Sequence, residues 1–157
     1  MCERPTRSEQ SAPGGSDCES DQVQTPSAGQ RRVIAVVDDD SSVRTALSRL
    51  CRSAGYDAKA FDSPREFLQS VESQAYDCAI VDIRMPELDG FALQRELLIV
   101  RPALPVILIT AHDEPAGRAR ALAAGAVAYL RKPFPNEELL SAILRALRGS
   151  ASIGAGP

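Results

Sequence analysis

Apolar residues in this chain fall in short runs, separated by stretches with helical spacing. Val33-Ile34-Ala35-Val36-Val37 is a run of five, the length of a strand buried on both faces. Val43, Ala46, Leu47, Leu50 and Ala54 then recur at helical intervals after a cap at Asp40 or Ser41, and Gly55 closes that helix. Tyr56 to Phe61 is a more polar run, expected at a sheet edge. Ser63-Pro64-Arg65-Glu66 has the form of a capping box with Pro at the first helical position. Phe67, Leu68 and Val71 are the buried face of that helix. Asp77 to Val81 reads as the central strand and ends in Asp82. After a loop from Met85 to Gly90, a helix is expected from Phe91 to Arg101. Val106 to Thr110 is a fourth strand, and Asp113-Glu114-Pro115 opens an Ala-rich helix that Gly125 stops. Val127 to Leu130 is a fifth strand. Asn136 to Leu147 is a last helix, with Leu139, Leu140, Ile143, Leu144 and Leu147 inward and Gly149 as its cap.

Five strands alternating with five helices through short loops predict an α/β fold, a doubly wound parallel sheet with helices on both faces. Such sheets bind ligands beyond the carboxyl ends of their strands. Here those ends carry Asp38-Asp39-Asp40, Asp82, Thr110 and, just past the fifth strand, Lys132. One acid in the triplet caps a helix. Adjacent like charges at the end of a strand point further, to a bound cation. A carboxylate at the mouth of a buried strand also needs a cationic partner, because desolvating it alone is costly.

Composition narrows the classes. The 157 residues and the charge of −3 fit one domain with tails and give no electrostatic case for nucleic acid or an anionic membrane. No apolar run is long enough to span a bilayer, and Met1 to Pro5 lacks the apolar core of a signal peptide. Cys2, Cys18, Cys51 and Cys78 have no metal-binding spacing, and Cys51 and Cys78 fall in apolar segments. A reducing, cytoplasmic setting is inferred. Residues 1–32 are rich in Ser, Gln, Gly and Pro and read as a disordered tail. Residues 33–149 form the domain, and 150–157 a second, disordered tail.

Taken in order, Val36-Val37-Asp38-Asp39, Asp82 with Met85-Pro86 and Asp89-Gly90, Ile109-Thr110-Ala111, and Lys132-Pro133-Phe134 resemble the receiver domain of two-component response regulators. The likeness covers Arg32 to Arg148, and the wording around Gly125-Ala126 and Lys132-Pro133-Phe134 is most similar to FixJ-type receivers. The resemblance implies a (βα)5 flavodoxin-like fold with strand order 2-1-3-4-5 and a cis Lys132-Pro133 bond. It implies that Asp82 accepts a phosphoryl group from a phosphohistidine, a carboxylate acting as nucleophile. It implies Mg²⁺ held by Asp39, Asp82 and the carbonyl of Arg84, with Asp38 acting through water. Lys132, the Thr110 hydroxyl and the amide of Ala111 would receive the phosphoryl oxygens. Thr110 and Tyr129 would form a switch, and Arg84 and His112 would tune the lifetime of the phosphorylated form.

The implied protein is a signalling phosphoacceptor whose only catalysis is its own phosphorylation and dephosphorylation. Its implied partners are a histidine kinase or phosphotransfer protein, then a downstream protein or a second copy at the face of the fourth helix, fifth strand and fifth helix. The chain reads as a stand-alone receiver without a DNA-binding domain, or as a fragment of a longer regulator. Two other readings stay open. Asp38-x-Asp40-x-Ser42 resembles the nucleophile motif of haloacid-dehalogenase-type phosphatases, which would make Asp38 the nucleophile and leave Asp82 unexplained. A binding module with a vestigial site would keep the fold and lose the chemistry.

Overall fold

The computed structural model describes residues 31–112 and 114–155, with side chains through Gly149. The expected tail over residues 1–32 lies outside the described residues except for Arg31 and Arg32. Arg32 already joins the fold, its carbonyl accepting from the Asp57 amide at 2.9 Å.

Strands β1 (Val33–Val37), β2 (Asp57–Phe61), β3 (Cys78–Asp82), β4 (Val106–Thr110) and β5 (Ala128–Arg131) alternate with α1 (Ser41–Ser53), α2 (Pro64–Ser70), α3 (Gly90–Val100), α4 (Pro115–Ala123) and α5 (Asn136–Ala155). All pairings are parallel and the order is β2-β1-β3-β4-β5, the expected doubly wound sheet. β1, β3 and β4 are central, and their interiors are apolar and buried. β2, mostly exposed, is an edge as expected.

Strand alternation divides the core into two layers. Ile34, Val36, Cys78, Ile80, Ile107, Ile109 and Leu130 pack under α1 and α5. Ala35, Val37, Ala79, Val81, Leu108 and Tyr129 face α2, α3 and α4. Cys51 and Cys78 are free thiols in the first layer, and burial raises both thiol pKa values, that of Cys51 to about 11.

Three local expectations are corrected. On α1, Ala46 and Ala54 are exposed, while Ser48 and Cys51 are buried beside Leu47. Val43 and Leu50 are only partly buried. The inward stripe is therefore rotated toward Ser48 and Cys51, and Cys51 packs in the same layer as Cys78 and Ile80. On α5, Leu144 is 45% exposed, and Ala142 and Ala146 are buried with Leu139, Ile143 and Leu147. Small side chains let this helix lie close to the sheet. α5 also runs on through Gly149 to Ala155, where a cap and a disordered tail were expected. Gly149 has no positive φ, unlike Gly55 and Gly125 at the ends of α1 and α4. A helix already formed gains one hydrogen bond per added residue, which outweighs the propensity cost of Gly149 and Gly154.

Candidate functional site

The register of the sheet builds the site. Val37 pairs with Val81, Asp82 with Ile109 and Thr110 with Arg131. Asp38 therefore lies beside Asp82, Thr110 is one residue beyond it on the next strand, and Lys132 emerges beside Thr110. The Lys132 amide donates to the Thr110 carbonyl at 2.7 Å, and the Lys132-Pro133 bond is cis.

Asp38 is fully buried and Asp82 is 5% exposed. Lys132 Nζ reaches both, lying 3.1 Å from Asp38 Oδ2 and 3.4 Å from Asp82 Oδ1. Asp38 Oδ1 accepts from the Asp40 amide at 2.9 Å, and its carbonyl accepts from Arg44 Nη1 at 2.7 Å. Asp40 caps α1 through the Ser42 amide. The triplet thus divides its work: Asp40 caps, Asp38 is buried against the lysine, and Asp39 is exposed at the rim. Carboxylate oxygens of Asp38, Asp39 and Asp82 all lie within 4.8 Å of one another. Burial and the neighbouring Asp38 charge push the Asp82 pKa up to about 6, and Lys132 only partly offsets them. Three hard oxygen donors with one partly compensating cation suit a small divalent cation such as Mg²⁺.

A cleft of about 570 Å³ opens beside this cluster, lined by Asp39, Arg84, Met85, Asp89, Phe91 and Arg120 among others. Arg84 is exposed at its edge, and Arg120 stacks over Phe91 with its guanidinium carbon 4.1 Å from the ring centroid. Ala111 and His112 are exposed in the loop after β4. The Thr110 hydroxyl, 1% exposed, donates to the His112 carbonyl at 3.1 Å and accepts from the His112 amide at 3.0 Å. Tyr129 is already buried at 2% exposure, on the same layer as Leu108, its register partner.

Gly90, read in the sequence only as part of a loop motif, and Gly117, Arg118 and Arg44, not singled out there, also shape the site. A Cβ on Gly90 would come within 2.8 Å of Ile83 Cα and 2.9 Å of the Asp82 carbonyl oxygen, so α3 starts pressed against the backbone of Asp82. Asp-Gly reads in sequence as a turn, and nothing in the pair reveals that close approach. Gly117 on α4 lies against the Tyr129 hydroxyl, at 3.0 Å from where its Cβ would be, and Arg118 covers the Tyr129 ring at 5.3 Å. Arg44, in the first turn of α1, reaches back to hold the carbonyl of Asp38, a contact that only the folded helix makes.

Comparison with known proteins agrees with this fold. The family profile described as "Response regulator receiver domain" matches residues 34–144. The response regulator protein TmoT of Ectopseudomonas mendocina is 43% identical over 119 residues, which are 76% of this chain and 54% of TmoT. The chain spans about half the length of TmoT and of the TodT proteins of Pseudomonas putida that it also matches. The crystal structure of a response regulator receiver protein from Burkholderia phymatum is similar at TM-score 0.68 and 44% identity, over 75% of this chain and 96% of that one. The crystal structure titled FixJ-N is similar at TM-score 0.70 and 31% identity, over 76% and 95%. Sheet order, family profile and relatives agree, and the chain belongs to the response regulator receiver family of two-component signalling.

Proposed function

We propose that Asp82 accepts a phosphoryl group from a phosphohistidine of a histidine kinase or phosphotransfer protein. The observation that carries this reading is Lys132 Nζ held between Asp82 and Asp38, within an acidic trio at the carboxyl edge of the sheet. An Asp82 carboxylate oxygen attacks phosphorus, the P–N bond breaks, and its electron pair stays on the imidazole. Lys132, a compact point charge, takes up charge on the transferred group. The Ala111 amide and the Thr110 hydroxyl supply further donors once Thr110 gives up its bonds to His112. Mg²⁺ held by Asp39, Asp82 and the Arg84 carbonyl, with Asp38 through water, would neutralise the phosphoryl oxygens. Phosphoryl transfer needs chiefly this positioning and charge compensation.

The output is a shift between two packings of one surface. Thr110 and Tyr129 sit on adjacent strands and the same layer, so movement of Thr110 changes the space beside Tyr129 and, through it, α4. The surface of α4, β5 and α5 is the proposed contact for a downstream protein or a second copy. Leu122 on α4 and Leu144 on α5, 44% and 45% exposed, support it. Arg84 and His112, exposed at the rim, are the proposed determinants of phosphoryl lifetime.

Intact mass after incubation with acetyl phosphate and Mg²⁺ tests the reading. One phosphoryl adduct is expected, lost in Asp82→Asn and without Mg²⁺. An adduct that persists in Asp82→Asn and maps to Asp38 would overturn it in favour of a phosphatase-type nucleophile.

A further inference from the structure

Helix α1 carries Arg44, Arg49 and Arg52 and not one acidic residue. In a chain of net charge −3 this is a local excess of three positive charges. None of the three pairs with a carboxylate among the described residues. Like charges at helical spacing destabilise a helix slightly, so the stripe adds nothing to the fold by itself.

The three arginines lie on one flank of α1 with Ser41, Thr45 and Ser48, at positions that recur every three or four residues. These six residues and Ala60 of β2 line a cleft of about 270 Å³. No carboxylate and no aromatic ring lines it. Ser48 is 5% exposed, and its Oγ is buried with no hydrogen-bond partner among the described residues. An orphaned buried hydroxyl is costly and calls for a partner. Arg44 donates to the Asp38 carbonyl and Arg52 to the Ala58 carbonyl at 3.3 Å. These bonds anchor two guanidiniums at the cleft and leave most of their five donors free.

We propose that this cleft binds a short chain of phosphates, as in inorganic diphosphate or triphosphate. Guanidinium forks and hydroxyls, without a competing acid, are a donor set for phosphate oxygens. Arg44 and Arg52 are about 12 Å apart along the helix axis, so two or three linked phosphates match the stripe better than one. Without an aromatic surface there is nothing to stack a base, so the phosphate chain itself is what is recognised. Arg44 connects the cleft to the acidic trio, because its guanidinium also holds the carbonyl of Asp38.

The test is an amide NMR titration of the ¹⁵N-labelled full chain with diphosphate and triphosphate, at constant ionic strength and without Mg²⁺. Under these conditions the acidic trio repels a polyanion. Saturable shifts are expected over Ser41 to Ser53, with a Kd of about 0.1–1 mM. The double variant Arg49→Ala/Arg52→Ala, whose side chains are exposed, should keep its circular dichroism spectrum and bind about tenfold more weakly. Ser48→Ala should bind about threefold more weakly. The proposal is overturned if sodium chloride at matched ionic strength reproduces the shifts, if α1 does not respond, or if the double variant binds as well as the wild type.

Discussion

Asp82 is a carboxylate whose surroundings oppose its charge. Its pKa, pushed up to about 6 by burial and by Asp38, exceeds the ordinary value of 3.8 that it has in the unfolded chain. A group shifted in this direction adds stability below its unfolded pKa and loses it as pH rises through the folded one. Asp82→Asn should therefore be more stable than wild type at pH 7.5 without metal, by on the order of 2 kcal/mol. The difference should shrink toward zero near pH 4, which thermal melts across that range would show. A wild-type advantage at pH 7.5 would contradict the account. Cation affinity follows the same ionisation. It should fall about tenfold per unit below about pH 6, read by Mg²⁺ titration. Lys132 works in the opposite direction, lowering the Asp82 pKa through its charge and its hydrogen bond. Lys132→Met should therefore move the titration of the Asp82 carboxyl upward, as followed by carboxyl ¹³C shifts. Sequence made the identity of these residues legible, because Asp38, Asp82 and Lys132 each follow an apolar run. The division of labour inside Asp38-Asp39-Asp40 was not legible, since neighbours in sequence point to a lysine, to the rim and to a helix end.

At the scale of elements, strands were the easiest to read and helix faces the hardest. The apolar runs of β1, β3 and β4 are buried on both sides, so almost any register of packing leaves them inside. A helix buries one stripe, and its exact rotation depends on what lies beneath. That is why Ala46, Ala54 and Leu144 are exposed where spacing put them inward, and Ser48, Cys51, Ala142 and Ala146 are buried. The α3 start shows a second limit. Gly90 looks like half of a turn, yet its hydrogen atom faces the Asp82 carbonyl at a distance no Cβ tolerates. Gly90→Ala should force α3 or the loop after β3 to move and cost about 1–3 kcal/mol by overpacking. Denaturant unfolding would measure the loss, and an unchanged midpoint would show that the loop yields freely. Gly117→Ala is a milder case, since the neighbour is the end of a side chain. It should displace the Tyr129 ring and weaken the cover of Arg118, read as a change in Tyr129 ring shifts with little loss of stability.

Across the whole molecule, a parallel sheet with two covered faces separates support from chemistry. The two core layers hold the strands, and the loops at their carboxyl ends hold the charged groups. Cys51 and Cys78 belong wholly to the support. Their raised pKa values and burial predict that neither reacts with a thiol reagent in the native state, and that both react once the chain is unfolded. Mass spectrometry after brief labelling would distinguish the two. Among the described residues no helix is long and apolar enough to cross a membrane. The α/β class, the order of elements and the residue types at the strand ends are already present in the linear chain, because these depend on local periodicity and on which side chains can be buried. The tertiary structure alone decided which of those residues meet. Parallel register set Asp38 beside Asp82 and brought Lys132 to both, reaching Asp38 across 94 residues of chain, packing seated Tyr129 against Gly117 and Arg118, and helix rotation gathered the α1 arginines around a buried hydroxyl. Such contacts depend on distances between segments remote in sequence, and no local pattern encodes them.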